Sequence, residues 1–178
     1  MFPLATDIIP LWNLIDFAKH FYFGKGKPVR LEKIGHLQGI VDYYFYKIYK
    51  DNYNTYDRVN SQIIEQARKI KNGQFSYDFN NGYTELGDYL FVFGGGTISG
   101  SANGFVKQVG NQFIITAVID YRYSDTFTDI LSIREKITHL SSEPLEASIL
   151  ALLFTDFYGV FFDIIGSWQT KFYAAVNI

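Results

Sequence analysis

The spacing of apolar residues along the chain changes character near residue 72. Before that point apolar positions recur every three to four residues; after it they alternate. Leu11, Leu14, Ile15 and Ala18 share a helical face and predict a helix over Leu11 to Phe21. Pro10 suits its first turn. Gly24-Lys25-Gly26-Lys27-Pro28 breaks that helix and opens a turn, and Val29 with Leu31 forms a short extended piece. His36 to Tyr49 reads as a second helix. Tyr56 to Ile70, with Val59, Ile63, Ile64, Ala67 and Ile70, is an amphipathic third. Arg68 and Lys69 complement its C-terminal dipole, and Asn72-Gly73 ends it.

From Phe75, Tyr77 and Phe79 onward the period is two. Asn80-Asn81-Gly82 predicts a turn, Tyr89 to Phe93 a strand, and Thr97 to Val106 another, with Gly100 and Gly104 inside it. Glycines inside strands mark bulges or curvature. Val109-Gly110-Asn111 is a hairpin signal. Gln112 to Tyr123 follows as the longest strand, with Phe113, Ile115, Ala117 and Ile119 on one face. It is expected to break up after Tyr123. Ile130 to Leu140 predicts a short helix, and Leu145 to Ile165 a buried one. The latter has about the length of a membrane span, but Glu146, Asp156 and Asp163 interrupt it. Ser167 to Ile178 alternates again, with Trp168, Phe172, Ala174 and Val176 on one side. Helices first and strands second is an α+β plan. One domain over 1–178 is expected, helical over about 1–72 and sheet-rich over about 73–178. Its N-terminal helices pack on a strongly curved, antiparallel, half-barrel-like sheet.

Composition narrows the chemistry. Hydrophobic residues make up 48% of the 178, enough for a core. Aromatic residues reach 19%, which suits half-buried strands and wet binding surfaces alike. A net charge of -2 gives no global basic field for nucleic acid. Without cysteine there is no disulfide, thiolate metal site or cysteine nucleophile. The N-terminal stretch lacks the basic region and cleavage site of a signal peptide. His20, His36 and His139 have no metal-ligand spacing, and no G-x-S-x-G elbow occurs.

The polar run Asp120-Tyr121-Arg122-Tyr123-Ser124-Asp125, then Asp129 and Arg134, is the most informative cluster. Carboxylates with an arginine suit attack by water on a phosphoryl centre. A carboxylate takes the proton of the water or holds Mg²⁺, and arginine neutralises phosphate oxygens. Alternation sets Tyr121, Tyr123 and Asp125 on one face and Asp120 with Arg122 on the other. Asp120 and Asp125 therefore converge only if the strand bulges. On spacing alone, an exposed strand end with ordinary surface charges explains the run better than a catalytic cluster does.

Three stretches resemble the toxin domain of colicin M and its relatives. His20-Phe21-Tyr22-Phe23-Gly24-Lys25-Gly26, followed by Ile34-Gly35, is similar to a His-aromatic-x-aromatic-Gly-x-Gly motif of that family. Gly96 to Gly104 resembles its Gly- and Thr-rich strands, and Asp120 to Asp125 with Arg134 resembles its Asp-x-Tyr-Asp…His-Arg catalytic stretch. The resemblance implies an antibacterial enzyme that hydrolyses lipid II between prenyl chain and pyrophosphate, with Mg²⁺ as cofactor. Asp120, Tyr123, Asp125 and Arg134 would be catalytic, and Asp120 and Asp125 would hold the metal. Ile133 stands where the family has His, so His139 or Asp129 would complete the set. Lys25, Lys27 and Arg122 would contact substrate. The implied partners are lipid II and a cognate immunity protein. The implied place of action is the outer face of a target bacterium's inner membrane, reached by secretion or by delivery to the periplasm. Two other classes stay open: a non-catalytic membrane-disrupting toxin led by Leu145 to Ile165, and a glycan-binding module with a Tyr-rich sheet.

Overall fold

The computed structural model describes residues 11–46, 55–85, 95–128 and 159–178. The elements in chain order are α1 (Leu14–Phe23), β1 (Val29–Arg30), α2 (Leu37–Tyr46), α3 (Thr55–Ile70), β2 (Gly73–Glu85), β3 (Gly95–Val109), β4 (Gln112–Phe127) and β5 (Phe162–Asn177). Among the described residues the strands form one sheet in the order β1-β5-β4-β3-β2, not closed into a barrel. The α+β class expected from the sequence is present. The sheet is mixed rather than antiparallel, because β1 runs parallel to β5. That two-residue strand lies between α1 and α2, where the sequence pattern predicts a short extended piece.

α1 begins at Leu14 and not at Leu11. Asn13 caps it: Oδ1 accepts the amides of Ile15 at 2.8 Å and Asp16 at 3.2 Å, and Asp16 Oδ2 accepts the Asn13 amide at 2.9 Å. Such a reciprocal cap is worth ~1 kcal/mol and outweighs Pro10 as a start signal. Ahead of it, the Trp12 amide donates to Ile34 O at 3.0 Å, and the Trp12 carbonyl accepts from His36 Nε2 at 2.6 Å. Those bonds leave Trp12 outside the helix.

The strands follow the alternation read from the sequence, with corrections. β3 and β4 meet in the hairpin at Gly110-Asn111, with Val109 opposite Gln112. Gly110 takes φ 60, the left-handed value a two-residue turn needs at its first position. Asn80-Asn81-Gly82 is not a turn; it is a register shift between Asn80 and Tyr83 inside a β2 that runs to Glu85. Gly100 and Gly104 cause no shift in β3, which stays paired with β4 from Thr97 to Val109. β4 does not break at Tyr123. It continues to Phe127, because Ser124 to Phe127 pairs on β5 with Phe162 to Ile165. That same pairing makes Phe162–Ile165 a strand, where the sequence pattern expects the end of a long buried helix. The strand expected at Tyr89 to Phe93, the helix at Ile130 to Leu140 and most of Leu145 to Ile165 lie outside the described residues.

The inner face of the sheet carries the core. Phe75 and Phe79, Ile98, Ala102 and Val106, Phe113, Ile115, Ile119, Tyr121 and Tyr123, and Phe162, Ile164 and Phe172 are all buried. α3 lies against β2, β3, β4 and β5, and contributes Val59, Ile63 and Ala67. Arg68 Nη2 donates to Asn177 O at 3.0 Å and pins the end of α3 to the end of β5. None of the described helices is long and apolar enough to cross a membrane.

β2 ends, β3 begins, β4 ends and β5 begins at the same end of the sheet, and β1 begins there too. In this row Asp125 is opposite Ile164, and Ile164 is opposite Val29. The Gly24–Lys27 turn and the last residues of β4 therefore sit at one sheet end.

Candidate functional site

At that end β4 places Tyr123, Asp125 and Phe127 on the inner face by alternation. Tyr123 is 1% exposed, and Asp125 is half-buried beside it. Tyr123 Oη donates to Asp125 Oδ2 at 3.2 Å, and the Thr126 amide donates to Oδ1 at 2.7 Å. Burial pushes the Asp125 carboxyl up to about 6, against the opposing pull of the Thr126 and Tyr123 hydrogen bonds. The result is a carboxylate fixed in orientation and more basic than usual, yet mostly ionised at neutral pH. That combination suits a general base.

Gly96 makes the arrangement possible. A Cβ there would run into the Tyr123 ring, 2.7 Å from Cζ and 2.8 Å from Oη. The phenol lies across the glycine and so reaches the Asp125 carboxylate. The sequence gives only weak notice of this role, since Gly96 stands in a glycine run that equally fits a loop.

An aromatic wall flanks the pair. Phe127 stacks on Phe162 at 5.0 Å, and Phe21 meets Phe127 edge-on at 5.6 Å. His20 meets Phe162 edge-on at 4.6 Å. His20 Nε2 donates to Lys27 O at 2.7 Å, so this imidazole fastens the lysine-bearing turn to the wall. A Cβ on Gly24 would lie 2.6 Å from two atoms of the His20 ring, and so the His-aromatic-Gly motif has a packing reason.

The other expected site residues are placed as follows. Asp120 and Arg122 are on the opposite, outer face; Asp120 accepts from Gln169 Nε2 at 2.9 Å, and Arg122 is exposed. β4 is paired without a register shift from Gln112 to Phe127, so no bulge brings Asp120 round to Asp125. Lys25 and Lys27 are exposed in the turn at the Asp125 end. Asp129, Arg134 and His139 lie outside the described residues.

Mg²⁺ takes oxygen ligands in a near-octahedral shell and commonly uses one or two carboxylates together with substrate phosphates. Asp120 and Asp125, on opposite faces, do not fit as a pair of ligands to one ion. Among the described residues no group of three His, Asp or Glu side chains converges.

No protein-family model and no curated protein matches the chain. Among solved structures, the crystal structure of pectocin M2 is similar with a TM-score of 0.39 and 15% identity, over 93% of this chain and 52% of that one. The chain thus spans about half the length of pectocin M2. A likeness at this TM-score fixes neither fold nor function.

Proposed function

We propose that the chain is a colicin M-like antibacterial toxin domain that hydrolyses a polyprenyl-pyrophosphate, lipid II, between prenyl chain and pyrophosphate. The observation that carries the reading is the Tyr123–Asp125 pair: a half-buried carboxylate raised to about 6, held by a phenol, at the sheet end that also carries Lys25 and Lys27. The three motif resemblances, which occur in the family's order, support it. With it go the curved, half-barrel sheet, Mg²⁺ as cofactor and a cognate immunity protein. So does action at the outer face of a target cell's inner membrane.

In this reading Asp125 takes a proton from water. The water oxygen bonds to phosphorus, and the bond from phosphorus to the prenyl oxygen breaks. The prenyl oxygen takes up a proton from solvent as the prenol leaves, Asp125 returns its proton to solvent, and the pyrophosphoryl disaccharide-peptide is released. Tyr123 holds Asp125 in line, while Lys25 and Lys27 meet phosphate oxygens. No step derived from these residues runs through a metal. The test is purified lipid II with Mg²⁺, with and without EDTA, with products separated by mass. Cleavage lost in Asp125→Asn supports the reading; intact lipid II with folded protein, with Mg²⁺ present, refutes it.

A second reading, glycan binding, is favoured by one observation. On the outer face an open trough of about 960 Å³ is lined by Gln74, Asn103, Phe105, Lys171 and Tyr173 among others. Phe105 is 48% and Tyr173 69% exposed. Exposed rings beside amides and hydroxyls suit sugar stacking and hydrogen bonding. Retention on immobilised peptidoglycan, lost in Tyr173→Ala and kept in Asp125→Asn, would put this reading first.

A further inference from the structure

The sheet end that carries Asp125 also carries exposed apolar residues joined to a rigid basic turn. Val160 is 47% and Phe161 59% exposed. The Val160 amide donates to Phe21 O at 2.9 Å, and the Phe21 and Phe161 rings lie 6.2 Å apart. A Cβ on Gly26 would be 2.9 Å from Val160 Cγ1, so the Gly24–Lys27 turn rests directly on Val160. The lysines on either side of Gly26 are both exposed, and neither has an ion-pair partner among the described residues.

The turn is built rather than loose. Lys25 and Gly26 both take left-handed φ values, 56 and 72. The Gly24 amide donates to His20 O at 2.6 Å, the Lys27 amide to Gly24 O at 3.1 Å, and His20 Nε2 to Lys27 O at 2.7 Å. Fixing the backbone in advance reduces the ordering cost when both lysines bind together. Among the described residues at this end, Asp125 accepts from Tyr123 and Thr126, and Asp163 accepts from the Thr126 hydroxyl at 2.9 Å.

We propose that Val160 and Phe161, flanked by Lys25 and Lys27, form a docking edge for the surface of an anionic lipid bilayer. Apolar side chains enter the boundary between headgroups and acyl chains, while lysines reach lipid phosphates. Charge complementarity selects the occupant, because a neutral partner would leave both ammonium groups unused. Docking in this pose turns the Asp125 end of the sheet toward the headgroup layer. The inference deepens the proposed function by stating how a phosphate at that depth is presented. Vesicle binding itself does not require catalysis.

The experiment is vesicle co-sedimentation with phosphatidylcholine alone and with phosphatidylcholine containing phosphatidylglycerol, at low and high salt. Thermal unfolding checks each variant. Wild type and Asp125→Asn are expected to bind the anionic vesicles equally. Replacing Lys25 and Lys27 by Gln should weaken binding about thirtyfold, from about one lipid-surface contact energy per lysine. Phe161→Ser, at an exposed position, should weaken it while leaving the unfolding temperature unchanged. No binding to anionic vesicles, equal binding to neutral ones, or folded variants that bind as wild type would each overturn the proposal. Cleavage of lipid II in detergent micelles is assayed in parallel. Cleavage without vesicle binding sinks this inference alone, and vesicle binding without cleavage sinks the enzymatic reading alone.

Discussion

The Tyr123 phenol donates a 3.2 Å hydrogen bond to Asp125 Oδ2, two residues along the same face of β4. Alternation brings the two side chains onto one face, and burial sets their chemistry. The phenol is enclosed, and desolvation pushes the carboxyl up to about 6, above the range of an ordinary aspartate.

If Asp125 is the base as proposed, activity depends on pH in a defined direction. The base must be ionised, so kcat/KM should rise with pH through a midpoint near 6 and level off above it. A rate profile on lipid II checks this. A midpoint near 4 would mean that the carboxylate is not desolvated in the working enzyme.

The same group should limit stability. Its pKa is higher folded than unfolded, so the native state binds the proton more tightly. Its contribution is therefore largest at low pH and is lost as pH rises from about 4 through about 6. Asp125→Asn keeps Oδ1 as acceptor for the Thr126 amide, and its Nδ2 donates to the Tyr123 phenol oxygen, without the charge. The variant should be more stable than wild type at pH 7 by about 1 kcal/mol, discounted for the solvent that reaches this half-buried group. The difference should vanish below pH about 4, where both side chains are neutral. Urea unfolding of both proteins across that range measures it.

Tyr123→Phe removes a hydrogen bond that favours the ionised carboxylate. The midpoint of the rate profile should move upward, and activity at pH 7 should fall within about tenfold. An unchanged midpoint would show that the phenol does not act on Asp125 in solution.

Gly96→Ala places a methyl group in the space of the Tyr123 ring. A buried ring in a β-sheet has little room to yield, so a loss of about 1–3 kcal/mol is expected. Calorimetry of the variant checks the size. A companion rate profile should resemble that of Tyr123→Phe, because the displaced phenol no longer reaches the carboxylate.

His36 works on stability in the opposite sense. It is 1% exposed, its Nε2 donates to Trp12 O, and burial lowers its pKa below the ordinary value. The unfolded chain takes up that proton first, so stability falls as pH drops below about 6.5. His36→Gln keeps a donor for Trp12 and has no such titration. Its deficit against wild type should shrink as pH falls from 7 toward 5, by denaturant unfolding.

The sequence was most legible where local pattern and tertiary environment agree. The alternation of Phe113, Ile115, Ala117 and Ile119, and of Trp168, Phe172 and Val176, places the inner faces of β4 and β5 correctly. The Gly110-Asn111 hairpin was equally plain. Three features were not legible because distant pairing decides them. Polar Ser124 to Thr126 reads as a loop, yet β5 holds it in the sheet. Val29 and Leu31 read as a short extended piece, but only the register with Ile164-Ile165 shows that it joins the sheet, and in parallel. Asn80-Asn81-Gly82 has the chemistry of a turn, but β3 runs alongside and absorbs it as a register shift.

The candidate site divides in the same way. Alternation alone separates Asp120 and Arg122 from Tyr123 and Asp125, and the unshifted register of β4 keeps them apart. The raised carboxyl was not legible, because desolvation depends on Gly96 and the aromatic wall. The Lys25–Lys27 turn was visible as a motif, but its place at the Asp125 end follows from the parallel pairing of β1 with β5.

The proposed role of Asp125 as the base of a lipid II hydrolase stands or falls on one comparison. Wild type and Asp125→Asn are incubated with purified lipid II and Mg²⁺, and the products are resolved by chromatography with mass detection. The account predicts release of the pyrophosphoryl disaccharide-peptide by wild type, at least about a hundredfold slower in a variant that is folded. Equal rates in the two proteins, or intact lipid II in both, would contradict it.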